Sequence, residues 1–245
     1  RGTDTRDKDF IEHIYPATMH NTMMFFTQKG KCYWLKVYEI PEGSKNSKGR
    51  AIQNLLNIDR EDNVNAYLRV EDLQDQEFIN NHYVLFATKK GLVKKTVLEQ
   101  YSRPRQNGVN AITIREDDQV IEVRMTDGTN EIILANRNGR AIRFHEENVR
   151  PMGRIASGVK GMTLDNDGQD EVVGMVTITD PEKETILVVS EEGFGKRSDI
   201  EDYRKTNRGG KGVKTLNITD KTGKLVAIKT VEDDHDLMII NKPAG

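Results

Sequence analysis

Along the chain, four unbroken apolar tetrads each run into one small polar residue, two variable residues and a glycine. The tetrads are Met23-Met24-Phe25-Phe26, Val84-Leu85-Phe86-Ala87, Ile132-Ile133-Leu134-Ala135 and Ile186-Leu187-Val188-Val189. Thr27, Thr88, Asn136 and Ser190 follow them, and Gly30, Gly91, Gly139 and Gly193 close the motif. A fifth copy starts at Leu237 and reaches only Gly245, which predicts that the natural protein continues. Short apolar runs bounded by turn residues predict strands covered on both faces. The glycine supplies the positive φ of a tight hairpin, and the Thr, Ser or Asn three residues earlier is placed to bond the turn backbone.

After each turn a second strand carries basic residues: Lys31 and Lys36, Lys94 and Lys95, Arg140 and Arg143, Lys196 and Arg197. A polar loop of about ten residues then leads to a second glycine, at Gly49, Gly108, Gly158 and Gly212. Third strands are expected at 109–114, 159–164 and 213–218, with 50–55 as a looser first copy. Short acidic turns lead to fourth strands at 63–70, 119–126, 171–179 and 224–231. Four strands in about 50 residues, repeated, is the size of a propeller blade. The pattern therefore predicts one all-β, propeller-like domain over 1–245, closed as a ring or open as a spiral. Its blades lie near 10–70, 83–126, 131–179 and 185–232, with an incomplete one from 237, and each repeat is expected to keep its four strands in one blade. The longer first interval between turn glycines, 61 residues against 48, 54 and 52, assigns a polar insertion to 71–81. Helical repeats are excluded, because the apolar positions show no 3.6-residue period.

Charge changes this picture. The formal net charge of −2 argues by itself against a polyanionic partner. Taken by segment, however, the charge is +4 over 29–50, −5 over 51–88, +5 over 89–114, −4 over 115–136, +4 over 137–160, −8 over 161–193 and +4 over 194–214. The sign alternates in step with the repeat, so equivalent elements of stacked blades gather the cations into a stripe around the outer rim. The loop cations are Lys45, Lys48 and Arg50, then Arg103 and Arg105, then Arg150 and Arg154, then Arg204, Lys205, Arg208, Lys211 and Lys214. With the second-strand residues Lys94, Lys95, Arg140, Arg143, Lys196 and Arg197 they form the candidate contact set for duplex DNA bent around the rim. Contacts of this kind fall on phosphate and are salt-sensitive. The bland alternative is a set of solvated faces, and alternation through four repeats weighs against it.

The chain resembles the C-terminal domain of DNA gyrase A along its whole length. The stretches that carry the resemblance are Asp9-Phe10-Ile11-Glu12, Leu35-Lys36-Val37-Tyr38, Gly91-Leu92-Val93-Lys94-Lys95-Thr96, Val149-Arg150-Pro151-Met152-Gly153 with Gly158-Val159-Lys160-Gly161, and Gly193-Phe194-Gly195-Lys196-Arg197. The resemblance implies a β-pinwheel of up to six blades that wraps duplex DNA and directs ATP-dependent negative supercoiling by the complete enzyme. It implies as partners the remainder of gyrase A, together with gyrase B in the heterotetramer, and a cytoplasmic, chromosome-associated location. ATP and Mg are used elsewhere in that enzyme, so no cofactor is expected in this domain. The family's Gln-Arg-Arg-Gly-Gly-Lys-Gly-like box falls just before the stretch matching 1–10. Thr206-Asn207-Arg208-Gly209-Gly210-Lys211-Gly212 echoes it in the fourth blade. The related domain of topoisomerase IV is the alternative within the same enzyme class.

No catalytic chemistry is expected in this chain. His13, His20, His82, His145 and His235 lack metal-ligand spacing, and Gly209-Gly210-Lys211-Gly212 is too short for a phosphate-binding loop. The nucleophilic tyrosine of the family belongs to another domain, so the seven tyrosines here are read as packing or edge residues. Trp34 and Tyr33 follow the first turn and are read as blade packing, with stacking on nucleic acid as the other reading. The single cysteine, Cys32, excludes an internal disulfide and reads as core filler in an intracellular protein. A protein-binding propeller scaffold is the competing class; it would gather apolar residues in its face loops, and the loops here are basic and polar.

Overall fold

The computed structural model describes residues 21–40 and 54–232. The expected contacts Lys45, Lys48 and Arg50, the stretch 9–12 and the fifth tetrad lie outside the described residues. Each of the four tetrads lies in a central strand: β1 (Thr22–Thr27), β4 (Tyr83–Thr88), β8 (Glu131–Asn136) and β12 (Thr185–Ser190). Each central strand turns through the expected hairpin into β2 (Lys31–Lys36), β5 (Leu92–Val97), β9 (Arg140–His145) or β13 (Gly195–Asp199). The polar residue before each turn does what its position predicts. Thr27 Oγ1 accepts from the Lys31 N–H at 3.1 Å, Thr88 Oγ1 from Leu92 at 3.1 Å, Asn136 Oδ1 from Arg140 at 2.8 Å and Ser190 Oγ from Phe194 at 3.3 Å.

On its other side each central strand takes the expected fourth strand: β3 (Val64–Val70), β7 (Val120–Thr126), β11 (Val172–Ile178) or β15 (Leu225–Val231). These four strands pack on one another in succession and line the centre of the assembly. The blades are therefore radial sheets with the hairpin's second strand on the outer side.

The third strand departs from the expectation. β6 (Val109–Asn110), β10 (Val159–Lys160) and β14 (Val213–Lys214) leave their own repeats and pair with β2, β5 and β9 of the preceding blade. The sheets are thus β3-β1-β2-β6, β7-β4-β5-β10 and β11-β8-β9-β14, and the fourth, β15-β12-β13, has three strands among the described residues. Only two residues of each donated strand join the ladder. The next two then bond the hairpin turn: Ala111 and Ile112 donate to the Gly30 carbonyl, Gly161 and Met162 to Gly91, Thr215 and Leu216 to Gly139. That approach is why the turn residue is glycine for a second reason. A Cβ on Gly91, at φ +94°, would stand 2.9 Å from the Met162 carbonyl oxygen.

Three apolar layers between successive blades form the core. Phe26, Phe86 and Tyr101 fill the first, with the Phe26 and Phe86 rings edge-on at 5.3 Å. Leu85, Leu134 and Phe144 fill the second, and Ile133, Ile186 and Tyr203 the third. β1, β4 and β8 are covered on both faces, which explains their unbroken apolar runs. In β12, Ile186 and Val188 are buried while Leu187 and Val189 are half-buried, because no blade covers that face among the described residues. The polar insertion contains a short helix, α1 (Gln76–Asn81), whose N-cap Asp75 accepts from the Phe78 N–H at 3.2 Å.

Candidate nucleic-acid interface

The second-strand cations divide by what lies outside them. Lys95 and Arg143 occupy the fourth position after their turn glycines, where the first repeat has Trp34. All three reach across a joint to the 3-10 turn of the following repeat. Trp34 Nε1 donates to the Tyr101 carbonyl at 3.0 Å, Lys95 Nζ to the Glu146 carbonyl at 3.1 Å, and Arg143 Nη1 to Ile200 and Tyr203 carbonyls at 3.2 and 3.1 Å. Arg143 also pairs with Glu131 at 2.8 Å, and Lys95 with Glu146 at 3.4 Å. Lys94 donates to the Ala111 and Arg154 carbonyls.

Lys94, Lys95 and Arg143 are 0, 4 and 5% exposed, so the expectation that they join a surface stripe is corrected. The donated strand and its loop cover β5 and β9, and a cation there must be satisfied inside the joint. Trp34 is likewise a packing residue that ties the first joint. Lys196 and Arg197, at the corresponding places on β13, are exposed, since the described residues include no strand outside β13. Arg197 Nε donates to Thr185 Oγ1 at 2.7 Å.

Strand donation also sets where the loop cations go. The loop with Arg103 and Arg105 precedes β6, that with Arg150 and Arg154 precedes β10, and that with Arg204, Lys205, Arg208 and Lys211 precedes β14, which carries Lys214. Each loop therefore lies at the outer edge of the blade before its own. The Met152 N–H bonds the Lys95 carbonyl at 2.7 Å and the Thr206 N–H bonds the Arg143 carbonyl at 2.9 Å, anchoring the last two loops alike. Neighbouring loops are also tied to one another. Thr113 Oγ1 donates to the Ile155 carbonyl at 2.6 Å, and Thr163 Oγ1 to the Gly209 carbonyl at 2.5 Å. The result is a belt of backbone running along the rim.

Arg105, Arg150, Arg204, Lys211 and Lys214 are exposed on this belt and have no carboxylate partner among the described residues. Arg103 is exposed but pairs with Glu99 at 3.3 Å, and Lys205 pairs with Glu131 at 2.8 Å. Arg140, Arg154 and Arg208 are half-buried. Arg140 Nη1 donates to the Gly212 carbonyl at 3.0 Å, and Arg208 to the Asn148 and Lys160 carbonyls at 2.9 and 3.0 Å. Lys160 was not among the expected contacts, yet it is exposed on β10 at the position equivalent to Lys214. Its signal was the Gly-Val-Lys triplet shared by 158–160 and 212–214.

The acidic half of the alternation is structural. Asp62, Asp118 and Asp170 each accept from the N–H of the residue before a turn glycine, namely Lys29 at 3.2 Å, Lys90 at 2.9 Å and Asn138 at 3.3 Å. These three carboxylates cap the hairpin ends beside the inner strands. Burial alone would raise Glu131, but hydrogen bonds from Arg143 and Lys205 hold it below its ordinary value. Among the described residues no group of His, Cys, Asp and Glu is arranged to hold a metal ion, and no helix is long and apolar enough to cross a membrane.

The family described as DNA gyrase C-terminal domain, beta-propeller, matches residues 21–66, 82–127, 130–179 and 184–232. DNA gyrase A from Staphylococcus aureus strains MRSA252 and NCTC 8325 is 42% identical over 240 residues, 98% of this chain. The chain spans about a quarter of the length of these curated relatives, 26%. Among solved structures, the C-terminal domain of a DNA topoisomerase IV superposes with a TM-score of 0.77 at 31% identity, covering 88% of this chain and 65% of that one. A DNA gyrase A C-terminal domain superposes with a TM-score of 0.72 at 22% identity, covering 96% and 76%, and supports the fold. Radial four-stranded blades with donated outer strands, joined to these matches, define an all-β pinwheel, and the chain belongs to the DNA gyrase C-terminal domain family.

Proposed function

We propose that this pinwheel binds duplex DNA along its outer rim and bends it, as the non-catalytic C-terminal domain of a DNA gyrase A polypeptide. The observation that carries the reading is the belt itself. Donated strands and their loops bring Arg105, Arg150, Lys160, Arg204, Lys211 and Lys214 to the outer edge of successive blades, Arg150 matching Arg204 and Lys160 matching Lys214, while Asp62, Asp118 and Asp170 are held at the hairpin ends. Backbone phosphates are the natural ligand of such a row, since it is a line of cations set on loop backbone. Bending a duplex over the belt costs a few kcal/mol, which several repeated contacts offset.

In the complete enzyme the bent DNA would be presented to the strand-passage gate, directing ATP-dependent negative supercoiling with the rest of gyrase A and with gyrase B. ATP and Mg act elsewhere in that assembly, which is expected in the cytoplasm on the chromosome. The gyrase relatives, 42% identical over nearly the whole chain, favour this reading over topoisomerase IV. The test is gel retardation of duplex DNA by the domain across a salt series. Binding should weaken steeply as salt rises, with a log–log slope of about −0.9 per phosphate contacted. No shift at low salt would reject the rim as a DNA surface. Ligation of short duplexes into circles in the presence of the domain tests the bend separately.

A further inference from the structure

The joint between the first and second blades contains a lysine that the packing does not require. Lys94 is fully buried, its Nζ lies 5.1 Å from the centre of the Phe86 ring, and it has no carboxylate partner among the described residues. The equivalent positions of the first and third repeats are Tyr33 and Ile142, buried and uncharged. A blade of this design therefore closes without a charge at that place. The Lys94 ammonium donates to two carbonyls, Ala111 at 2.5 Å and Arg154. Ala111 belongs to the segment that the second repeat donates to the preceding blade, and Arg154 to the rim loop of the third repeat. One nitrogen thus joins the second repeat's own sheet, its donated segment and the next repeat's loop.

We propose that Lys94 is a positioning residue for the rim: its buried ammonium clamps the 150–158 loop onto the second blade, so that Arg150 and Arg154 face phosphate. The proposal rests on the rim reading above. The two related loops are held in opposite ways. In the fourth repeat Arg208 turns its guanidinium inward to the Asn148 and Lys160 carbonyls. In the third repeat the backbone of Arg154 is held instead, its N–H by Gln100 Oε1 at 2.9 Å and its carbonyl by Lys94. The Arg154 guanidinium is thereby left without a hydrogen-bonded protein partner among the described residues.

A clamp built on a charge inside an apolar layer responds to pH. Burial, and then the Arg154 guanidinium, lower Lys94 to about 7, while two carbonyl acceptors favour the charged form. The other titratable groups in this layer are Tyr101 on the 3-10 turn and Cys32 on β2, both pushed up by burial and neutral near pH 7. Raising the pH through the neutral range removes the Lys94 proton and turns two charge-assisted bonds into ordinary ones, roughly half as strong. The loop then loosens and phosphate binding weakens.

The experiment follows two readouts in the domain between pH 6 and 9: amide hydrogen exchange of the 150–158 loop without DNA, corrected for the intrinsic rate, and duplex-DNA affinity at fixed salt. Wild-type loop protection should fall as the pH rises, and DNA affinity should fall by about threefold or more. Lys94→Met should flatten both responses. Its salt slope at pH 6 should be shallower by up to about 2, the share of two phosphate contacts. In an Arg150→Ala/Arg154→Ala background, Lys94→Met should change DNA affinity no further. Wild-type loop protection that does not change with pH overturns the proposal, as does a folded Lys94→Met that keeps the wild-type pH response. If Lys94→Met does not fold, the wild type and Arg150→Ala/Arg154→Ala are compared, and equal pH profiles of DNA affinity overturn it. Absence of DNA binding at every pH rejects the rim reading instead, and the exchange data still decide whether Lys94 clamps the loop.

Discussion

Lys95 and Glu146 face each other across the joint between the second and third blades, Nζ to Oε1 at 3.4 Å, with 5% and 0% of their side chains exposed. The Glu146 carboxylate also accepts from Thr126 Oγ1 at 3.0 Å and from the Asn130 N–H at 2.9 Å, so it gathers groups from two repeats. Glu146→Ala leaves a buried ammonium and an unpaired amide together. It should destabilise the domain by about 3–5 kcal/mol, measured by urea unfolding. Lys95→Met with Glu146→Leu should recover the part of that loss due to the stranded ammonium, because no charge remains buried, while the Asn130 amide stays unpaired. A single Glu146→Ala within experimental error of wild type would show that the joint does not depend on this pair.

Acid should loosen the next joint in a defined direction. Glu131, held below its ordinary 4.5 by Arg143 and Lys205 against burial, carries a folded-state value lower than its unfolded one. Its contribution is fully present above 4.5 and is lost as the pH falls through the folded value. Lys205→Met removes one of the two partners while keeping the loop's length. The variant should be less stable than wild type at pH 7, and the gap should narrow below about pH 4. Thermal melts at a series of pH values read this directly, and a gap that widens in acid contradicts it.

The two roles of the turn glycine can be separated. Gly91 has φ +94° and a donated backbone against it, whereas Gly193 has φ +81° and nothing within 4 Å. Gly193→Ala should lose only the conformational preference, about 1–2 kcal/mol. Gly91→Ala must also displace the 161–162 segment and should be clearly worse, by about 1 kcal/mol or more. Equal losses on urea unfolding would mean that the donated segment yields without resistance.

Surface cations should separate from joint cations in DNA binding. Arg150→Ala, Arg204→Ala and Lys211→Ala together should flatten the salt slope by up to about 0.9 for each cation removed. The thermal midpoint should scarcely move, because the three side chains are exposed and unpaired with carboxylates among the described residues. Arg143→Met should do the reverse and lower stability first, since it strips Glu131 and the Ile200 and Tyr203 carbonyls of their donor. A slope unchanged in the triple variant removes these residues from the contact set.

Much of this architecture was written in local pattern. The tetrads specified the central strands, because a strand covered on both faces must be apolar at every position. The turn glycines and the Thr, Ser or Asn before them specified the hairpins, since those bonds close within five residues of chain. The alternation of charge marked the loops that reach the rim. Family membership was legible for the same reason, as the motifs are short and recur in order.

Which blade a strand joins was not local, and neither was the fate of its cations. Val109, Val159 and Val213 read as strand residues in any sheet, and only the packed blades decided that they pair backwards with Cys32, Val93 and Ala141. That single crossing buried Lys94, Lys95 and Arg143 and carried the neighbouring loops outward. Lysine and arginine have the same identity in a joint as on a rim. Burial, which depends on residues roughly 50 positions away in the repeat, determines which of them holds blades together and which remains available to a phosphate.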